Sequence, residues 1–453
     1  MKSSFFGDRQ FFKVLFTLAI PIMFQNLVNS LVNMLDTVMI GQLGTVEIAA
    51  VGLGNQFFFL YNMILFGICN GGGIFTAQFW GKHNILGIRK NVGLCLTLGL
   101  SAGILFTLAA LSIPRGIIGV YSRDPEVIRA GSAYLSALAP AFIPYAVSFV
   151  FSSTLISTEH VRVPMTTTLI ALSMNGGLNY LFIFGAGPVP AMGVKGAAIA
   201  TVISRITEMC ILAGVSYLRR YAHAGPIREL LSFRLPYFGR FLRIAAPVMI
   251  NELIWSLGVN TQNLIFARTH TDAIAAFNIT NTVSQLTWVV FMGLGNGAGV
   301  LIGKKIGEGN ETAARNYAKW ITRFTPLLAA GVALFLLPLS RLLPFLFKVT
   351  DGVLAITSGM FIILVCSYPF RAFNMSMVIG VCRAGGDTIF CAFYDLLFMW
   401  CVALPLAAAA SFIFHAPVWI IYLCIVSEDP LKMLLGFQRL RSGKWLHNVT
   451  GRG

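Results

Sequence analysis

Residues 19–37 read AIPIMFQNLVNSLVNMLDT, and residues 245–263 read AAPVMINELIWSLGVNTQN. The second stretch is the first moved along the chain, so that Pro21 falls on Pro247 and Ser30 on Ser256. At a spacing of about 226 positions the match runs ungapped through residues 19–91, with roughly a quarter of positions identical. Asn55 meets Asn281, Gly67 meets Gly293, Asn70-Gly71 meets Asn296-Gly297, Gly81 meets Gly307, Asn84 meets Asn310 and Arg89 meets Arg315. Identities at Pro, Asn and Gly do not come from apolar composition alone. Two like halves in an apolar chain are the pattern of a duplicated transporter with a path between its halves.

Composition agrees. Of 453 residues, 57% are hydrophobic and 11% charged, whereas soluble domains carry about 25% charged residues. The bilayer is the solvent, and backbone polar groups must be satisfied within helices. Apolar runs exceed the ~20 residues of a spanning helix, unlike the short alternating segments of a β-barrel. Twelve spans are expected at about 11–40, 46–79, 88–114, 128–157, 163–186, 192–217, 238–267, 274–306, 314–340, 353–382, 388–412 and 416–438. The fold class is therefore an all-α polytopic membrane protein, with twelve transmembrane helices in two pseudo-symmetric six-helix bundles. The expected division is 1–218 for the N-terminal six-helix lobe, 219–240 for a cytoplasmic connector holding a short amphipathic helix, and 241–453 for the C-terminal lobe with its short basic tail.

About 22 basic residues fall in the tails and one set of loops, Lys432 and Arg383 among them. About 7 fall in the alternate set: Arg115, Arg123, Arg129, Lys195, Arg268, Arg341 and Lys348. The basic side is read as cytoplasmic, so both termini are expected inside a cell (inner) membrane, and no removable leader is expected at the opening residues. Membrane lipid thus accounts for the net charge of +16 without nucleic acid. The eight cysteines form no CxxC and read as small buried hydrophobes. No HExxH, no clustered carboxylate–His set and no nucleotide-binding loop occurs, so no cofactor is expected.

The first helix carries Gln25, Asn26, Asn29, Asn33 and Asp36 in steps of three and four, which puts them on one face. Such a stripe is too costly to face lipid and must meet protein or water. The seventh helix mirrors it with Asn251, Glu252, Ser256, Asn260 and Asn263, its acid standing opposite Asn26, while Gln262 stands opposite Asp36. Asp36 and Glu252 are the main candidate cation-coupling residues, because an intramembrane carboxylate either takes a proton or is held ionised by a cation. Pro21 and Pro247 are candidate hinges. Asn175 and Asn179, one turn apart on the fifth helix, and Thr201 on the sixth offer oxygens suited to a hard cation such as Na⁺. Arg205 and Glu208 read as a helix-surface ion pair. Asp395 and Arg371 are charges whose role the pattern leaves open. The Gly runs at 70–73 and 296–299 read as close-packing surfaces.

In sum these residues resemble the multidrug and toxic compound extrusion (MATE) transporters. The likeness rests on Pro21 through Asp36-Thr37-Val38-Met39-Ile40-Gly41, on Ala77-Gln78-Phe79-Trp80-Gly81, and on Gly193-Val194-Lys195-Gly196-Ala197-Ala198. Pro247 with Asn251-Glu252, and Cys382-Arg383-Ala384-Gly385-Gly386-Asp387-Thr388, complete it. The resemblance implies export of organic, cationic or amphipathic small compounds in exchange for H⁺ or Na⁺. It makes Asp36 the coupling residue and carries one family cation site onto Asp36, Asn175, Asn179 and Thr201. Asn179 stands where some members have a second carboxylate, and the tenth helix offers Arg371 and Asn374 where some have an acid. A monomeric, non-enzymatic antiporter is expected. The alternative is a lipid-linked oligosaccharide flippase of the same broad superfamily, which would need more spans and a basic cavity built from Arg205, Arg243, Arg323 and Arg371.

Overall fold

The computed structural model describes residues 8–185, 187–269, 271–338 and 350–451. Arg341 and Lys348 lie outside them. Eleven helices among the described residues are long and apolar enough to cross a membrane. They are α1 (Arg9–Gly41), α2 (Thr45–Gly81), α3 (Ile85–Ser112), α4 (Pro125–Ser157), α5 (Arg162–Phe184), α6 (Val194–Leu218), α7 (Leu235–Thr269), α8 (Asp272–Gly307), α9 (Glu311–Leu336), α10 (Gly352–Arg383) and α11 (Thr388–Phe412). The twelfth expected span is two helices in sequence, α12 (Val418–Val426) and α13 (Glu428–Ser442). The break follows from Pro430, which has no N–H to donate backwards and is tolerated only in a first turn. Glu428 and Asp429 share that turn, where the helix dipole favours acids.

The repeat is visible in local structure. Asn84 caps α3 by accepting from the Gly87 amide at 2.8 Å, and Asn310 caps α9 by accepting from the Ala313 amide at 3.0 Å. Both Pro21 and Pro247 lie inside continuous helices.

The chain divides into two compact units, Phe24–Met249 and Met1–Met23 with Ile250–Gly453. The sequence placed its divisions in the connector; by packing they fall inside α1 and α7, two residues beyond each proline and at repeat-equivalent positions. The glycine runs explain why. In the first unit a Cβ on Gly71 would lie 2.8 Å from the Ala245 Cα, and one on Gly67 would lie 3.0 Å from the Met249 Cα. In the second unit a Cβ on Gly293 would strike the Met23 side chain, and one on Gly297 would lie 3.4 Å from Ala19. In each unit a Gly-x-x-x-Gly face lets a helix backbone sit close to the opening turns of α7 or α1.

The connector is part of the first unit. Arg89 donates to the Ala222 carbonyl at 3.2 Å and the Ala224 carbonyl at 3.0 Å, and pairs with Glu229 at 2.5 Å. Its helix is one short turn, Ile227–Leu230, with Leu230 buried. His223 is buried there, its Nε2 2.9 Å from the Ser216 hydroxyl. Burial holds its imidazole down at about 4 rather than 6.5, with His160 and Arg89 adding positive charge nearby. Cys69, Cys95, Cys382 and Cys391 are buried as expected, but Cys210 on α6, Cys366 on α10 and Cys401 on α11 are exposed.

Candidate functional site

The polar stripe of α1 ends in a contact within the first unit. Asn179 on α5 donates from Nδ2 to Asp36 Oδ1 at 2.7 Å and lies 3.3 Å from Asn175 Oδ1. Asn175 and Asn179 are buried, whereas Asp36 is only partly so. Asp36 Oδ2 takes no hydrogen bond from a described residue, and Asn179 Oδ1 is buried without a partner. One carboxylate is thus steadied by one neutral donor, next to an amide oxygen free to accept.

About three turns before Asp36 on α1, Gln25 Nε2 donates to the Thr168 hydroxyl at 3.0 Å, and Thr168 donates to Glu208 Oε1 at 3.0 Å. Glu208 pairs with Arg205 at 2.8 Å. This pair is not on the helix surface as the spacing suggested. Glu208 is buried, and the Arg205 guanidinium lies 4.7 Å over the Tyr145 ring. Arg205 lies within electrostatic range of Asp36. Tyr134 donates to Asn55 Oδ1 at 3.0 Å and Tyr145 to Asn62 Oδ1 at 3.1 Å.

The remaining candidates divide. The Thr201 hydroxyl donates to the Ala197 carbonyl of its own helix at 3.0 Å, so its lone pairs stay open although it bonds to none of the other three residues. Asn29 is half-buried and Asn33 exposed, and neither side chain forms a hydrogen bond among the described residues. Asn260 turns back to the Ser256 carbonyl at 2.9 Å. Glu252 is in the second unit, paired with Arg383 at 2.6 Å, both nearly buried. A carboxylate held so closely by a guanidinium is less open to ion exchange than Asp36.

Sequence reading missed the charge network around Asp395. Lys432 and Arg383 look like loop or tail cations, yet both are buried. Lys432 Nζ lies 3.6 Å from Asp395 Oδ1 and 3.3 Å from Glu428 Oε2. Arg371 pairs with Asp429 at 2.9 Å, and Tyr394 donates to Asn374 Oδ1 at 2.7 Å. The available signal was Glu428-Asp429 with Lys432 one turn on, inside an otherwise apolar run.

Residues 21–181 and 247–422 match the family model described as MatE. A protein of Thermotoga maritima described as "Probable multidrug resistance protein NorM" is 24% identical over 96% of this chain and 93% of its own. The "Uncharacterized transporter YisQ" of Bacillus subtilis is 22% identical over 95% and 94%. Among solved structures, an outward-facing multidrug resistance MATE family transporter of the MOP superfamily superposes with a TM-score of 0.85 at 19% identity, over 98% of this chain and 99% of that one. A MOP superfamily transporter from Pyrococcus furiosus gives a TM-score of 0.85 at 19% identity, over 97% and 98%. At these identities the structures speak for the fold.

Proposed function

The chain belongs to the MatE family, and from that premise we propose that it exports small organic compounds, cationic or amphipathic ones among them, against an inward flow of H⁺ or Na⁺. The observation that carries this reading is the state of Asp36. Its one hydrogen-bond donor among the described residues is neutral Asn179, and the nearby Arg205 is already paired with Glu208. The carboxylate therefore has no fixed countercharge of its own and exchanges ions at lower cost than Glu252.

Asp36, Asn175, Asn179 and Thr201 offer one carboxylate, two amides and a hydroxyl. The unpartnered Asn179 Oδ1 fits either ion: it accepts from a protonated carboxyl or contributes an oxygen to Na⁺. Gln25, Asn29, Asn33 and Asn260 supply polar surface for substrate or water, and Pro21 and Pro247 are where bending costs α1 and α7 least. The basic loops support an inner-membrane location with both termini cytoplasmic, and we take the working unit to be a monomer. The flippase alternative is weakened because Arg205 and Arg371 are tied to Glu208 and Asp429 and cannot serve a pyrophosphate without breaking those pairs. The test is dye efflux from everted vesicles under an imposed proton gradient and, separately, an imposed sodium gradient. Efflux driven by neither overturns the reading.

A further inference from the structure

The second unit contains a polar chain that nothing in the coupling scheme uses. In the first unit, Gln25 on α1 reaches Thr168 on α5, and Thr168 reaches Glu208 on α6. The repeat-equivalent helices of the second unit follow the same path. Asn251 on α7 donates from Nδ2 to Asp395 Oδ2 on α11 at 3.1 Å, and Asp395 Oδ1 lies 3.6 Å from Lys432 on α13. A carboxylate thus stands where the first unit has a neutral hydroxyl.

Two features of this chain call for an ion. The first is an orphaned acceptor: Asn251 is 2% exposed, its amide is turned to Asp395, and its Oδ1 is buried with no partner among the described residues. A buried oxygen left unpaired is costly unless something donates to it. The second is charge balance. Glu252 is paired with Arg383 and Asp429 with Arg371, but Asp395 and Glu428 share the single ammonium of Lys432. Among the described residues one carboxylate is in excess in a nearly buried site. The ammonium already beside Asp395 repels a metal cation, whereas a proton adds directly to a carboxylate oxygen.

We propose that Asp395, Asn251 and Lys432 form a proton-binding site of the second unit, in which protonated Asp395 donates its hydrogen bond to the Asn251 side-chain oxygen. On uptake an O–H bond forms on Asp395 as one breaks in a hydronium ion, which leaves as water. The N–H···O bond from Asn251 gives way to an O–H···O bond as the amide turns over, and Lys432 is left to Glu428. No electrons move. The charged and titratable groups facing Asp395 are Lys432, Glu428 and Asp429 from α13, Arg383 from the end of α10 with Glu252 of α7 behind it, and Tyr394 on its own helix. The site lies wholly within one unit, so it stands or falls independently of Asp36.

Infrared difference spectra between alkaline and mildly acidic pH test this on the full chain in lipid nanodiscs. Asp36→Asn removes the intramembrane aspartate of the first unit, Asp429 of α13 stays paired with Arg371, and ¹³C-carboxyl aspartate identifies the residue type. A protonated-aspartate band is expected, absent in Asp36→Asn/Asp395→Asn and shifted in frequency in Asp36→Asn/Asn251→Leu. A band unchanged by Asp395→Asn overturns the proposal. So does the absence of any isotope-shifted carboxyl band in the labelled Asp36→Asn protein between about pH 5 and about pH 9, the range in which buried carboxylates titrate; this arm needs no substitution in the site. Efflux is not read, so neither result touches the role of Asp36.

Discussion

Asn179 offers Asp36 a nitrogen and keeps its own oxygen buried and unpaired, whereas Glu208 meets a full countercharge in Arg205. The two acids of the first unit therefore respond differently to substitution. Arg205→Met leaves Glu208 buried and uncompensated and is expected to cost about 3 kcal/mol, near the lower end for breaking a buried pair because the guanidinium is partly exposed. Arg205→Met/Glu208→Met should recover most of that loss. Thermal unfolding in detergent reads both, and equal melting temperatures for the single variant and the parent would count against a structural ion pair. His223 gives a second residue-scale test, in pH. Its folded value of about 4 is depressed below the ordinary 6.5, so below that value an unfolded chain takes a proton that the folded chain refuses. Its contribution is present above pH 6.5 and is lost as pH falls towards 4, amounting to about 3 kcal/mol in all. His223→Gln should flatten the fall in stability over that window in pH-dependent unfolding. An unchanged profile contradicts a buried neutral imidazole.

At the scale of elements, the glycine faces of α2 and α8 set how close the opening turns of α7 and α1 can come. A side chain at Gly71 has the Ala245 backbone 2.8 Å away, which a rotamer change cannot relieve. Gly71→Val is expected to destabilise by about 1–3 kcal/mol through overpacking, whereas Gly214→Val, with nothing within 4 Å, should be nearly neutral. Unfolding of the two variants side by side checks this, and equal losses would contradict it. Element boundaries were largely legible because a bilayer fixes span length. The expected span at 388–412 coincides with α11, and that at 128–157 starts three residues inside α4. The break at Ser427 was less legible, because an apolar run hides a helix restart unless the lone Pro430 is weighed against it. The partners of Asp395 were not legible either. Lys432 resembled a basic tail residue, and only folding carries it to a carboxylate on another helix.

For the whole molecule, duplication explains what the two units share and where they differ. Capping by Asn84 and Asn310, the paired glycine faces and the repeat-equivalent division after Pro21 and Pro247 belong to the common scaffold. The ionisable groups do not repeat: the first unit has Asp36 on α1 facing an amide on α5, and the second has Asn251 on α7 facing Asp395 on α11. Scaffold was therefore readable by comparing the halves of the sequence, while the site was readable only in part. Asp36 and Asn179 are brought together as the family resemblance implied, but Thr201 bonds within its own helix and Glu252 is paired with Arg383. The account rests on Asp36 exchanging an ion during export. The most direct measurement is gradient-driven dye efflux from everted vesicles carrying the parent or Asp36→Asn at matched protein levels. Site couplings of about 1–3 kcal/mol correspond to about 5–150-fold, so a fall of that size towards the no-gradient background is the predicted result, with dye binding retained. Gradient-driven efflux by Asp36→Asn at the parent rate would contradict the account.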